Sequence, residues 1–192
     1  MKTIQVQLFR FDELSEDAQK KALTDNRFFL ASDPYWHTVR LWECEDMLKE
    51  KGYYDIDIRF SGFSSQGDGA SATATVDLPS WIDVDPEKRS KFQPIADIDH
   101  IAKVVRAPYP HYVHSNMIDA EVTVYDEDIA DDLEKIACEL EKAITTDIRA
   151  LSDEIYKTLE GEYDSITSDE VLAEHFTENE YWFVEDGTLK EN

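Results

Sequence analysis

The sequence predicts an α+β fold: an antiparallel sheet with helices packed on one face, including one long amphipathic acidic helix toward the C-terminus. Three observations carry this. Apolar and polar residues alternate at 54–77 and 117–125, apolar residues recur three or four apart over 127–160, and capping residues precede the shorter helical runs. A chain of 192 residues suits one domain or at most two small ones, and a single α+β domain over 1–192 is expected. With 42% hydrophobic residues it can bury a sizeable core.

Taken in order, Ile4, Val6 and Leu8 alternate with Thr3, Gln5 and Gln7, which reads as a half-buried strand. Leu14-Ser15 supplies a staple residue and an N-cap for a helix carrying Ala18, Ala22 and Phe29. Ser32-Asp33-Pro34 opens a second helix, with Pro34 at its first position and Trp36, Val39, Leu41, Met47 and Leu48 as its apolar residues; Gly52 stops it. Ile56, Ile58 and Phe60 pair with Ala70–Val76 in a hairpin. Pro79, Pro86, Pro94, Pro108 and Pro110 divide residues 79–110 into loops and short turns around one helix at Ile98–Val105. Strands follow at Tyr109–His114 and Met117–Tyr125. Ile129, Leu133, Ile136, Leu140, Ile144, Ile148, Leu151, Ile155 and Leu159 then mark a helix over 127–160, about 50 Å long at 1.5 Å per residue, with Gly161 beyond it. Thr167-Ser168 caps a helix at Asp169–Phe176, Tyr181–Val184 is a closing strand, and Asp186-Gly187 is a turn.

Composition excludes several functions. Forty-three acids against 19 Lys and Arg give a net charge of -24, the wrong sign for direct nucleic-acid binding or for an anionic membrane surface. No apolar run reaches the ~18 residues that span a bilayer. The opening residues read as strand then acidic turn, not as a secretion signal. Cys44 and Cys138, far apart and in helical patterns, are expected to be buried thiols of a reducing cytoplasm. Residues 1–118 hold 19 acids and 14 bases, whereas residues 119–192 hold 24 acids and five bases. The acidic helical portion, 126–180, is therefore where charge points to a role.

If the apolar stripe of the long helix faces the core, Asp128, Asp131, Asp132, Glu134, Glu139, Glu141, Asp153, Glu154 and Glu160 face outward. Glu162, Asp164, Asp169, Glu170, Glu174, Glu178 and Glu180 continue the series. Duplex DNA shows one charge per ~1.7 Å of axis; a ~50 Å helix with about ten carboxylates is sparser, but a second acidic helix beside it narrows the gap, and such a surface could occupy a cationic nucleic-acid groove. The plainer reading is a solvated face that keeps the chain soluble. The other unusual stretch is Phe60–Ser71, where Gly62, Ser64, Ser65, Gln66, Gly67, Asp68 and Gly69 offer backbone N–H groups and one acid. A phosphate loop is followed by a helix and usually a Lys, whereas here a strand follows, so a hairpin loop is the stronger expectation. Asp97, Asp99, His100, His111 and His114 lack compact metal-ligand spacing, and neither a cofactor nor catalytic residues are expected. Tyr35-Trp36, Tyr53-Tyr54 and Tyr181-Trp182-Phe183 read mostly as packing, with a minority left for an interface.

Phe11-Asp12-Glu13-Leu14-Ser15-Glu16, the segment Phe60–Ser71, and Tyr181-Trp182-Phe183-Val184-Glu185-Asp186-Gly187 together resemble a family of small, uncharacterised bacteriophage proteins, some labelled antitoxin-like. The resemblance runs along the whole chain by motif order, on few residues. In that pattern aromatic residues often stand where this chain has Ser64 and Ala72, so a ring-lined site would be incomplete here. It implies a phage gene product acting in the host bacterial cytoplasm on a host factor, and no catalytic residue.

The leading expectation is a non-enzymatic inhibitor. Its acidic, DNA-mimicking surface would bind a basic nucleic-acid-handling host or defence protein of restriction, CRISPR or nuclease type. The alternatives are an antitoxin-like or assembly protein binding through aromatic surface, and a small-molecule binder or hydrolase using the Gly62–Gly69 loop. Oligomeric state stays open, a homodimer included.

Overall fold

The computed structural model describes residues 5–107, 112–125 and 131–190. In chain order the elements are β1 (Leu8–Phe9), α1 (Glu16–Asp25), α2 (Thr38–Glu50), β2 (Tyr53–Phe60), β3 (Ala70–Val76), α3 (Leu78–Asp83), α4 (Pro86–Ala96), β4 (His100–Arg106), β5 (Ile118–Val124), α5 (Asp131–Ile166), α6 (Asp169–Glu178), β6 (Trp182–Val184) and β7 (Leu189–Lys190). The fold is α+β. Two compact units divide the chain, residues 39–160 and residues 1–38 with 161–192, each with its own hydrophobic core.

In the unit of residues 39–160, β2-β3-β4-β5 form an antiparallel sheet. One face carries mostly small buried residues, Ala70, Ala72, Ala74, Ala102, Val104 and Ala120. The other carries Asp57, Arg59, Lys103, Asp119, Glu121 and Thr123, all exposed, the alternation of a sheet wetted on one side. Because the buried face is shallow, a helix can lie close upon it. The stripe Leu140, Ile144, Ile148, Leu151, Ile155 and Leu159 of α5 is buried in that core, and Ser152 accepts the Ala72 N–H at 3.2 Å. Trp81 and Ile82 from α3, Phe92 and Ile95 from α4, and Cys44 and Leu48 from α2 complete it.

The β5 edge, which would otherwise present unpaired backbone groups, is covered by side chains one turn apart on α5. Glu141 accepts the Val122 N–H at 3.0 Å, Thr145 accepts the Ala120 N–H at 2.8 Å, and Arg149 donates to the Ile118 carbonyl at 3.0 Å and to Asp119 at 2.8 Å. Replacing Glu141 and Thr145 together by Ala leaves two donors open. We expect a loss of about 2 kcal/mol by urea unfolding, with faster amide exchange at Ala120 and Val122.

The hairpin at 54–77 and the strand within Met117–Tyr125 form as expected. Residues 112–114 are not strand, and of the half-buried strand expected at 3–8 only Leu8 is in β1 while Val6 is exposed; residues 1–4 and 108–111 lie outside the described residues. Other expectations are corrected. Ile98–Val105 lies in a strand and its preceding turn, since Ala102 and Val104 are buried two apart while Ile101 and Lys103 are exposed between them. The proline-punctuated segment before it holds α3 and α4, because Pro79 and Pro86 stand in first turns, where proline's missing N–H costs nothing. The second helix begins at Thr38, after turns that contain Pro34. The long helix passes through Gly161 to Ile166, a position whose helical penalty is only about 1 kcal/mol. Cys138 is exposed, contrary to expectation, while Cys44 is buried.

In the other unit, β1-β6-β7 form a small antiparallel sheet. Phe11, Phe176 and Phe183 pack with centroids 5.2–5.9 Å apart, alongside Leu14, Ala18, Ala22 and Leu172. Ser15 caps α1 and Ser168 caps α6, each accepting an N–H at 3.3 Å. Phe29 lies beyond α1, where it packs edge-on against Phe176 and Tyr181.

Candidate functional site: the acidic helix and the glycine-serine loop

The α5 acids divide by what they touch. Asp131, Asp132, Glu134, Asp153 and Glu154 are exposed. The first three stand in the first turn, where carboxylates also complement the helix dipole, and Asp132 pairs with Lys135 at 3.4 Å. Glu139 is bound to Lys91 at 2.8 Å, and that ammonium holds its carboxyl below the usual range. Glu141 belongs to the β5 edge, so it is not a free surface carboxylate. Glu160 and Glu162 are half-buried and Asp164 is exposed. Asp128 lies outside the described residues. On α6, Asp169, Glu170, Glu174 and Glu178 are exposed, as is Glu180 beyond it. Asp169 is paired with Arg27 at 3.1 Å and Glu180 with Arg10 at 3.2 Å.

The spacing matters as much as the count. Between Glu139 and Asp153 the outward positions of α5 include Lys142, Thr146 and Ala150. The acids thus form two groups, about 21 Å apart along the axis. Duplex DNA would place roughly twelve charges in that span. This is a surface with two negative patches, sparser than a phosphate backbone.

The loop of residues 61–69 is organised from within. Asp68 Oδ2 accepts the N–H groups of Ser64 at 3.0 Å and Ser65 at 2.7 Å, and the Asp68 N–H returns to the Ser65 carbonyl at 3.1 Å. Ser61 closes the base, its N–H donating to the Gly69 carbonyl at 3.0 Å while its Oγ accepts the Gly69 N–H at 3.1 Å. Gly67 has φ +100, and a Cβ there would stand 2.6 Å from the Tyr112 ring; one at Gly69 would collide with His114. Tyr156 donates to the Gly62 carbonyl at 3.3 Å and packs 5.5 Å from Phe63. Ser64, Ser65 and Gln66 are exposed at the tip. The N–H groups of Ser64 and Ser65 are therefore directed at Asp68, an arrangement that shapes a hairpin tip. Ala72 is fully buried, so a ring at that position would enter the core rather than line a surface site.

Bonds from Ser65 and Ser64 hold the Asp68 carboxyl below its ordinary range. A depressed folded value stabilises the loop above the unfolded value of about 3.9 and loses that contribution as pH falls through the folded one. Protection of the Ser64 and Ser65 amides, relative to unstructured-chain exchange at the same pH, should persist from neutral pH and be lost only as acid titrates the Asp68 carboxylate, and Asp68→Ala should remove it throughout.

One cavity gathers residues that no local sequence pattern groups. It measures about 520 Å³ and is lined in part by Tyr54, Asp55, Thr75, Asp77, His100 and Lys103. A register shift in β2 between Tyr54 and Asp57 accompanies it, with Asp55 at φ 52. Asp55-x-Asp57 reads from the sequence only as a chance spacing among many acids. His100 Nδ1 is bonded to the Ile98 carbonyl at 2.8 Å and His114 Nδ1 accepts the Asn116 N–H at 3.0 Å, so both rings have local structural duties. Burial pushes the Cys44 thiol up to about 11, which keeps it protonated at neutral pH and ill-suited to nucleophilic attack.

Among the described residues no helix is long and apolar enough to cross a membrane. No curated protein and no solved structure matches the chain. A family does match, over residues 36–169. The Phe60–Ser71 loop and all of α5 lie inside the matched stretch, whereas the Phe11–Glu16 and Tyr181–Gly187 motifs lie outside it. By that match the chain belongs to the family described as Domain of unknown function (DUF8835).

Proposed function

We propose that this chain is a non-enzymatic binding protein whose acidic helical surface engages a basic, nucleic-acid-handling protein and keeps it from its nucleic acid. The observation that supports this best is the outward position of Asp131, Asp132, Glu134, Asp153 and Glu154 on α5, within a stretch of 74 residues that holds 24 acids and only five bases. Carboxylates so placed raise encounter rates with a cationic surface and oppose anionic competitors. Because the acids fall into two patches, the reading is occlusion by charge complementarity rather than a phosphate-by-phosphate copy. The resemblance to phage proteins adds the setting, a host bacterial cytoplasm and a host or defence factor as target.

Capture from bacterial lysate, eluted stepwise with salt, tests this. One nucleic-acid enzyme should be retained at low salt and released by about 0.2 M, where the screening length shrinks to less than 10 Å. Reversing Asp131, Asp132, Asp153 and Glu154 to Lys should weaken its retention at least about tenfold while the fold survives, since all four are exposed. Undiminished retention by that variant would contradict the proposal.

A further inference from the structure

The chain has four tryptophans, and three are packed. Trp81 is fully buried, Trp36 lies 5.8 Å from the Tyr163 ring, and Trp182 lies beneath the Arg10 guanidinium at 3.6 Å. Trp42 differs. It is 61% exposed on α2, with Val39, 58% exposed, one turn before it. A buried partner for so large an apolar side chain would be worth about 2 kcal/mol or more in area alone. The other exposed positions of the same helix are Glu43, Asp46, Lys49 and Glu50, with Glu45 between. Arg40 is paired with Glu43 at 2.8 Å and Lys49 with Asp46 at 2.9 Å, so α2 keeps a net negative charge around the indole.

We infer that the solvent face of α2 is a docking surface for a basic segment of a protein partner, with Trp42 the ring on which an Arg or Lys side chain stacks and, as its counter-charge, the carboxylates of Glu43, Glu45, Asp46 and Glu50, which outnumber Arg40 and Lys49. The inference rests on the reading of a basic partner and names a second place where that partner is held. Charge decides the occupant. An apolar segment would satisfy Val39 and Trp42 but strand the carboxylates beside them, and an acidic one would be repelled. A cation on an aliphatic stem covers the indole face and meets the carboxylates together. The same chemistry is already used within the chain, where Arg10 stacks on Trp182 and pairs with Glu180 at 3.2 Å. Trp and Arg are also among the residue types enriched where interface energy concentrates.

The test uses the full chain and a twelve-residue Arg-rich peptide, with a second peptide in which every Arg is replaced by neutral citrulline. The Trp42 indole N–H resonance should move on titration with the first peptide and not the second. Trp42→Ala should weaken binding about tenfold, while Trp42→Phe, which keeps a ring, should stay within about threefold. Binding by Trp42→Ala within about twofold of native, or equal binding of the citrulline peptide, overturns the inference. The fourfold reversal on α5 separates the two readings. If it leaves Trp42-dependent binding intact and target capture undiminished, the α5 proposal fails alone; if it abolishes capture while Trp42→Ala changes nothing, the α2 proposal fails alone.

Discussion

Replacing Asp147 by Ala should destabilise the unit of residues 39–160 by about 3 kcal/mol, seen as a lower denaturant midpoint with an unchanged slope. Its Oδ2 accepts the Tyr53 hydroxyl at 2.9 Å and the Trp81 indole N–H at 2.9 Å, with the Lys88 ammonium at 3.5 Å. Tyr53 and Trp81 are 1% and 0% exposed, so the Tyr53 hydroxyl is left without its acceptor once the carboxylate is gone, while the Trp81 N–H keeps only the Tyr53 oxygen at 3.0 Å. Each buried donor left open costs about 1–3 kcal/mol. Lys88 also sits 3.8 Å over the Trp81 ring, which joins α4 to α3 through the same residues. Burial, reinforced by the Asp147 charge, pushes the Tyr53 hydroxyl far above its ordinary value, so it stays a donor at any working pH. Asp147→Asn keeps an acceptor and should cost less than half as much. Tyr53→Phe added to the Asp147→Ala variant should cost less than it does in the native chain, because the unpaired donor leaves with it.

The second large effect belongs to the other unit. Gly187→Ala should cost about 3 kcal/mol there, read from thermal unfolding of the residues around Phe176 and Phe183. Gly187 turns β6 into β7 at φ +85, and a Cβ would collide with the Ala18 carbonyl oxygen of α1. The turn has little slack. Gly187 N–H donates to the Val184 carbonyl at 2.9 Å, and Asp186 accepts the Thr188 N–H at 3.0 Å. An Asn side chain there tolerates the dihedral but not the contact, so Gly187→Asn should also destabilise, which marks the clash rather than φ alone as the cause.

These packing relations explain how much the sequence discloses. The long helix is legible because its buried side chains recur every three or four residues from Leu140 to Leu159, and Ser15 and Ser168 announce their helices through local bonds. Helices α3 and α4 escape notice because proline is read as a breaker, whereas in a first turn it is a starter. At 98–105, helical and strand periods compete over a short apolar run, and pairing with β5 from His100↔Val124 to Arg106↔Ile118 decides for the strand. The exposed acids of α5 follow from its stripe, but the ties of Glu139 to Lys91 and Glu141 to Val122 join residues 48 and 19 positions apart. No local pattern encodes those. Trp42 is likewise illegible, since its exposure depends on which turn of α2 meets the core.

Occlusion of a basic protein by the acidic residues of α5 is open to a competition experiment. With the captured enzyme, labelled duplex and added chain, the duplex should be displaced at low salt, and displacement should weaken at least about tenfold when Asp131, Asp132, Asp153 and Glu154 are reversed to Lys. Simultaneous binding of chain and duplex, or equal displacement by the reversed variant, would contradict it.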